Sequence, residues 1–262
     1  MAELVLLDLD DDGLARLRLN RPQASNGLNV ELLGELVDAL RSCAAKRGVR
    51  ALLLSGEGAH FCAGGDVKAF AARGEQLPDY LVEATALLQR AAAALIGFPA
   101  PVVAAVQGFA AGGGGLGLVC ASDVVVAAQS AKFVLAATRV GMAPDAGGSV
   151  TLAQLVGLRK ALEIALLNPT ITAAEALELG IITRVVPDAQ LHEAALALAR
   201  ELAAGPTASL AATKRLLWEG IGARVEDRLD EEARTVSELS GNGDAREGLA
   251  AVIERRAPRF AR

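Results

Sequence analysis

Three segments hold the residues whose types and spacing could do chemistry: HFCAGGDVKAF (60–70), QGFAAGGGGLGLVCASD (107–123) and VGMAPDAGGSV (140–150). In the first two, small residues follow a strand-like run and precede a helix. The first N–H groups of a helix have no internal partner and face outward beside the positive end of its dipole. Glycine lets a ligand approach that backbone closely. Two such ends converging on one oxygen would form an oxyanion hole, in which one donor is typically worth about 3 kcal/mol. Each run taken singly also suits a tight turn or close helix packing.

The third segment supplies a carboxylate. Between Pro99 and Leu162 the acidic residues are Asp123 and Asp145, in a chain that has 31 Asp and Glu. Pro-Asp-x-Gly is good turn chemistry and Asp often opens helices, so Asp145 can be a turn or N-cap residue. An apolar surround of Leu116, Ala137 and Met142 would also raise its pKa toward neutrality, as a general base needs. Asp66 reads as a helix cap, Asp123 as a structural acid at a strand start, and His60 as a solvent-facing loop residue. Cys62 lacks a histidine partner in any recognisable nucleophile motif. Gly112, Gly114 and Gly117 satisfy G-x-G-x-x-G, but the dinucleotide reading wants an acid about 20 residues on. Val124 to Pro144 contains none.

The elements that must position these segments alternate. ELVLLDLDDDGLARLRLNRP suggests two strands joined at the turn Asp10 to Gly13. Leu32, Leu33, Leu36, Leu40 and Cys43 fall at helical spacing, and Gly48 follows them. VRALLLSGEG predicts a buried strand, GGDVKAFAARG a helix opening at Asp66, and roughly 79–95 another helix. PVVAAVQG is a buried strand that runs directly into the glycine helix, and DVVVAAQS is the next strand. Strand, helix, strand in repetition predicts an α/β fold. After about Gly205 three helical patterns follow without strands, so 1–205 is expected as the core and 206–262 as an all-helical appendage with apolar stripes to cover.

Composition narrows the classes. A net charge of −5 and pI near 5.2 argue against nucleic acid. Cys43, Cys62 and Cys120 are an odd number without metal spacing, and with His60 and His192 as the only histidines a metal site is not expected. They suit buried, reduced thiols in a cytoplasmic protein. The acidic start MAELVLLDLDDDG lacks the cations of an export signal, and the longest apolar run is broken by prolines and glycines, so no membrane span is expected.

Six motifs in order carry a resemblance to the crotonase, or enoyl-CoA hydratase/isomerase, superfamily. They are NRPQASNGLN, GAHFCAGGDVKAF, VQGFAAGGGGLGL, AKFVLAATRVGMAPDAGGS, ALEIALLNPTITAAEALELGIITRVVP and EGLAAVIERRAPRF. The resemblance implies a spiral of ββα units and a C-terminal all-helical trimerisation region, assembled as a homotrimer or dimer of trimers. It implies acyl-CoA thioester substrates, with coenzyme A arriving as part of the substrate and no permanently bound cofactor. By position, the N–H groups of Gly65 and Gly113 would hold the thioester oxygen. Backbone around Ala24 and Ala63, with Asp66 and Val67 alongside, would meet the coenzyme A. The loop from Ala71 to Tyr80 and the helix after it would shape the acyl pocket, and Phe260 matches an aromatic that reaches a neighbouring subunit's coenzyme A.

The sequence departs from the family's hydratases at two places. The two glutamates that activate water correspond here to Leu116 and Ala137, which can neither polarise water nor carry a proton. Asp145 instead matches the aspartate of the family's G-x-x-P-D-x-G-G isomerases. The dehalogenase branch wants a histidine before the P-V-x-A strand and a tryptophan near position 137, and neither is present. The expected activity is enoyl-CoA isomerisation by proton shuttling through Asp145. A hydratase with atypical catalytic residues, or a catalytically silent acyl-CoA-binding homologue, is the alternative.

Overall fold

A computed structural model of the chain describes residues 3–261. Met1, Ala2 and Arg262 lie outside it, so the outermost ends of the expected 1–205 and 206–262 units fall outside the described residues. Strands β1 (Val5–Leu9) and β2 (Leu14–Leu19) pair antiparallel across the acidic turn. A 3-10 turn at Pro22–Ala24 leads to α1 (Val30–Ala45), β3 (Ala51–Gly56), α2 (Val67–Ala71) and α3 (Leu77–Ile96). Then come β4 (Val102–Val106), β5 (Phe109–Ala111), α4 (Gly112–Cys120), β6 (Val124–Ala128) and β7 (Lys132–Val134). A 3-10 turn at Ala137–Val140 precedes α5 (Gly148–Val156), α6 (Leu158–Leu167), β8 (Ile171–Thr172), α7 (Ala173–Glu178), β9 (Arg184–Val186) and α8 (Leu191–Ala203). The chain then continues through α9 (Thr207–Glu219), α10 (Leu229–Ser240) and α11 (Gly243–Glu254) without another strand.

Six strands form one sheet in the order β1-β2-β3-β4-β6-β9, parallel except at β1. β4 reads VVAAV and is buried throughout, as expected for a central parallel strand covered on both faces. Helix α8 packs on β3, β4 and β6, while α1 packs on β1, β2 and α3. Asn29 caps α1 by accepting the Leu32 N–H at 3.0 Å. Its buried stripe is the predicted one, Leu32, Leu33, Leu36, Leu40 and Cys43, and each leucine contributes roughly 1.5–3 kcal/mol by burial.

A second, three-stranded sheet in the order β5-β7-β8 departs from the sequence expectation. The glycine helix does not follow β4 directly. Phe109–Ala111 first forms β5, parallel to β7, and this short strand aims α4.

One ionic network ties the helical C-terminal segment to the core. Lys214 of α9 is 7 % exposed and donates to the carbonyls of Leu95 (2.7 Å) and Ala100 (3.3 Å). Its ammonium lies 2.8 Å from Asp123 Oδ2. The same carboxylate accepts the Val102 N–H at 2.7 Å and the Trp218 indole N–H at 2.8 Å. Burial lowers the Lys214 pKa, and the Asp123 charge opposes that shift. Asp123 is thus the structural acid expected of it. Removing one partner of a buried pair strands the other charge, at a typical loss of 3–5 kcal/mol. Asp123→Ala should therefore lower unfolding free energy in urea by about 3–5 kcal/mol; a loss below about 1 kcal/mol, the scale of a surface ion pair, would contradict this anchoring role.

Candidate active site

The two glycine segments meet because the chain around Cys62 pairs with β5. Phe61 N–H donates to Gln107 O, Cys62 N–H to Phe109 O, and Ala111 N–H to Cys62 O, at 2.9, 3.0 and 2.9 Å. Residue 65 then forms a parallel bridge with Leu28, in which Leu28 N–H donates to Gly64 O and Asp66 N–H donates to Leu28 O. That pattern uses the polar groups flanking Gly65 and turns its own N–H to the opposite side. Gly113 is the second residue of α4, where an N–H has no intrahelical acceptor. Gly65 therefore sits just ahead of the Asp66 cap of α2, in extended chain, whereas Gly113 belongs to a helix N-terminus.

Both glycines line a cavity of about 590 Å³, together with Gly112, Gly114, Ala63, Val67, Ala137 and Asp145. Its remaining wall is apolar and comes mainly from α3 and from Leu28, Leu33, Phe70, Val140 and Met142. Gly64 and Gly112 have φ of +91° and +67°, and a Cβ on Gly112 would come within 3.1 Å of Gly64 Cα. Only glycine accommodates both the left-handed backbone and that approach.

Asp145 lies in the loop between the 3-10 turn and α5. The loop settles on the bare face of α4: a Cβ on Gly113 would overlap Asp145 Oδ1, and one on Gly117 would lie 2.5 Å from Ala146 Cβ. The backbone oxygen of Asp145 accepts the Gly148 N–H at 2.8 Å, so the residue does belong to a turn. Its side chain caps nothing, since Gly147 holds the N-cap position of α5 and no side-chain hydrogen bond is made there. Among the described residues Asp145 Oδ1 is buried without a hydrogen-bond partner. Burial raises the carboxyl pKa above its ordinary value, opposed by the residue's own backbone N–H. Among the described residues no other one lining the cavity is ionisable. Two outward N–H groups and one protonatable carboxyl can stabilise an oxyanion and move a proton beside it.

The enoyl-CoA hydratase/isomerase family model matches residues 10–262. The chain belongs to that family. It is 42% identical over 250 residues to a Rhodobacter capsulatus protein named "Probable enoyl-CoA hydratase", covering 95% of each chain. It is 36% identical to the 1,2-epoxyphenylacetyl-CoA isomerase of Escherichia coli, covering 99% of both. The crystal structure of a Mycobacterium smegmatis enoyl-CoA hydratase superposes with a TM-score of 0.91 at 32% identity, covering 99% of each chain. The fold is accordingly the crotonase type, a mixed α/β core followed by a helical C-terminal region.

Against this enoyl-CoA hydratase/isomerase framework, the predicted site residues divide. Gly65, Gly113, Asp145, Ala63, Val67 and Ala137 converge on the cavity. Leu116 does not line it, because it is buried inside α4 at 1 % exposure. Asp66 is likewise absent from the wall. Its carboxylate accepts the Ala69 N–H at 3.0 Å and pairs with Arg21 at 2.6 Å. Burial alone would raise its pKa, but those partners outweigh burial and hold it low. Ala24 ends the neighbouring 3-10 turn, outside the cavity wall. Phe260 packs near Gly248 of α11 and does not reach this chain's own cavity. His60 is half-buried rather than solvent-facing, and its Nδ1 accepts the Phe109 N–H at 3.2 Å. Cys62 is buried, and its thiol is pushed up to about 12 by burial, which suits packing and not nucleophilic attack. Sequence reasoning missed the part of Phe70, whose ring tip lies against Gly65.

A carboxyl whose folded pKa is raised weakens the fold above that pKa, and the penalty disappears below the unfolded value of about 4. Asp145→Asn should therefore melt at a higher temperature than the parent at pH 7, with the gap closing as pH falls toward about 4. Equal melting temperatures at pH 7 would mean that the carboxylate is not buried unpaired.

Proposed function

We propose that this enzyme moves a double bond along the acyl chain of an enoyl-CoA. The observation that carries the proposal is that Asp145 is, among the described residues, the single ionisable side chain lining the cavity to which Gly65 and Gly113 also contribute. Asp145 removes a proton from the α carbon of a 3-enoyl thioester, and the electron pair delocalises onto the thioester oxygen. The two N–H groups hold that oxygen through the dienolate. Asp145 then returns the same proton at the γ carbon, leaving a 2-enoyl thioester. No water is consumed, and the carboxyl ends each turnover as it began. Backbone around Ala24 and Ala63 would receive the coenzyme A, and Phe260 that of a neighbouring subunit.

A positioned general base contributes about 10²–10⁴ in rate. Asp145→Asn should lose at least that factor in kcat on a 3-enoyl-CoA while its affinity for a saturated acyl-CoA stays near the parent's. In the parent, kcat/KM should rise with pH through a pKa above the ordinary carboxylate value of about 4, as the raised carboxyl requires. Full turnover by the Asn variant would rule out the shuttle. The name of the Rhodobacter relative favours a second reading, hydration of a 2-enoyl-CoA with Asp145 activating water. Appearance of conjugated absorbance from a 3-enoyl-CoA supports isomerisation; its loss from a 2-enoyl-CoA supports hydration.

The same reading places the enzyme in the cytoplasm as a homotrimer or dimer of trimers. Leu217, Val236, Leu249, Val252 and Ile253 on α9–α11 are between 67 % and 80 % exposed, an apolar surface that calls for cover. Light scattering should return three or six times the 26.9 kDa chain mass, and a monomer would overturn this assembly.

A further inference from the structure

Beyond the glycines the cavity continues along α3, and its chemistry there identifies the acyl group. Leu77, Leu81, Ala84, Thr85 and Leu88 lie at helical spacing on one face of α3 and all line the cavity. Further along the same helix, the stripe Ala91, Ala92 and Leu95 is covered by the core. At the first two turns that apolar face borders open space, and Leu77 and Leu81 stay half-buried. Leu28, Leu33 and Phe70 close the wall opposite. Among the described residues Thr85 offers the single hydroxyl of the wall, and it donates to Leu81 O at 2.6 Å. Among the described residues no Lys, Arg or His lines the cavity; on the segment from α2 to the start of α3, Lys68 is exposed and stays off the wall, and Arg73 lies over the Tyr80 ring at 4.2 Å.

From this wall we infer that the enzyme takes a hydrocarbon acyl group, an alkyl chain or aryl ring without an ionised or hydrogen-bonding substituent at its far end. The inference rests on the reading of the cavity as an acyl-CoA site. A hydrocarbon removes the α3 leucines from water along with itself. A terminal carboxylate would lose its hydration, meet no cation and share the cavity with Asp145. The wall therefore selects by exclusion as much as by attraction.

Calorimetric titration of the whole protein with acetyl-CoA, octanoyl-CoA and the mono-CoA thioester of octanedioic acid tests this without any turnover. Each newly buried methylene is worth roughly four-fold, so octanoyl-CoA should bind at least about ten-fold tighter than acetyl-CoA. The terminal carboxylate should weaken binding by about a hundred-fold relative to octanoyl-CoA. Leu81→Lys, its fold checked by circular dichroism, places an ammonium on the wall and should shrink that hundred-fold gap to less than about ten-fold. Equal affinity for octanoyl-CoA and its carboxylated analogue overturns the inference, as does octanoyl-CoA binding no tighter than acetyl-CoA. A hydrocarbon preference without isomerase turnover removes the proton shuttle and leaves the acyl assignment standing. Failure of all three thioesters to bind removes both.

Discussion

Close backbone approach around α4 is the constraint on which the site depends. Two separate stretches approach this helix closely: residues 62–65, against its Ala111–Gly112 N-terminus and Gly115, and the Asp145–Ala146 loop. Each needs a missing Cβ somewhere. A methyl on Gly113 would take the place of the carboxylate, and one on Gly117 would lift the loop that carries it. The consequence is a helix that reads GGGGLGLVC, poor by propensity, since each helical glycine costs about 1 kcal/mol relative to alanine. Burial of Leu116, Leu118, Val119 and Cys120 in the core offsets that cost. α4 is held by what packs on it, which is why it can dispense with side chains on the face that meets the site.

The Asp145 loop carries a cost of its own. Ala146 has φ +52°, a left-handed conformation that a non-glycine residue adopts at some expense, and Gly147 follows at +76°. The carboxyl beside them has an oxygen without a partner. Strain and desolvation at one short segment are tolerable because α5, packed on α4, and the glycine face hold it in position. The same desolvation that weakens the fold brings the carboxyl closer to the pKa at which a base is useful. Stability and proton transfer pull in opposite directions at this residue.

Local pattern made much of the fold legible. The stripe of α1, the strand VVAAV, the Asp66 cap and the strandless end of the chain all follow from periodicity and capping chemistry in adjacent residues. What escaped was non-local. β5 spans three residues and is a strand only because β7 and the Cys62 segment lie on either side of it. The side chain of Asp145 has the sequence environment of a helix cap, yet the turn gives the N-cap position to Gly147. Leu116 occupies a slot where motif spacing alone suggests contact with substrate, but it is buried within α4. His60 reads as a solvent-facing loop residue, but it is half-buried, with Phe109 N–H on its Nδ1. For β5 and His60 the deciding partner is far away in sequence, and no spacing rule sees it.

The convergence of Gly65, Gly113 and Asp145, the residues of the proposed chemistry, on one cavity was nonetheless legible, because that chemistry depends on residue type at a fixed place. A hydration must hold a water molecule, take one proton from it and deliver a proton elsewhere, work suited to two polar groups on either side of the double bond. The cavity offers a carboxyl and a threonine already donating its proton to its own helix. An isomerisation asks less, since one group receives a proton from one carbon and gives it to another a few ångströms away. The intermediate carries its charge on the oxygen held by backbone N–H groups, so no second acid is required. In the proposed reaction, a pocket whose described wall is hydrocarbon but for Asp145 and the Thr85 hydroxyl would also keep bulk water from quenching the dienolate. The scarcity of polar side chains is thus consistent with the proposed chemistry in the same way as the glycines are: what has been removed from the site matters as much as what remains.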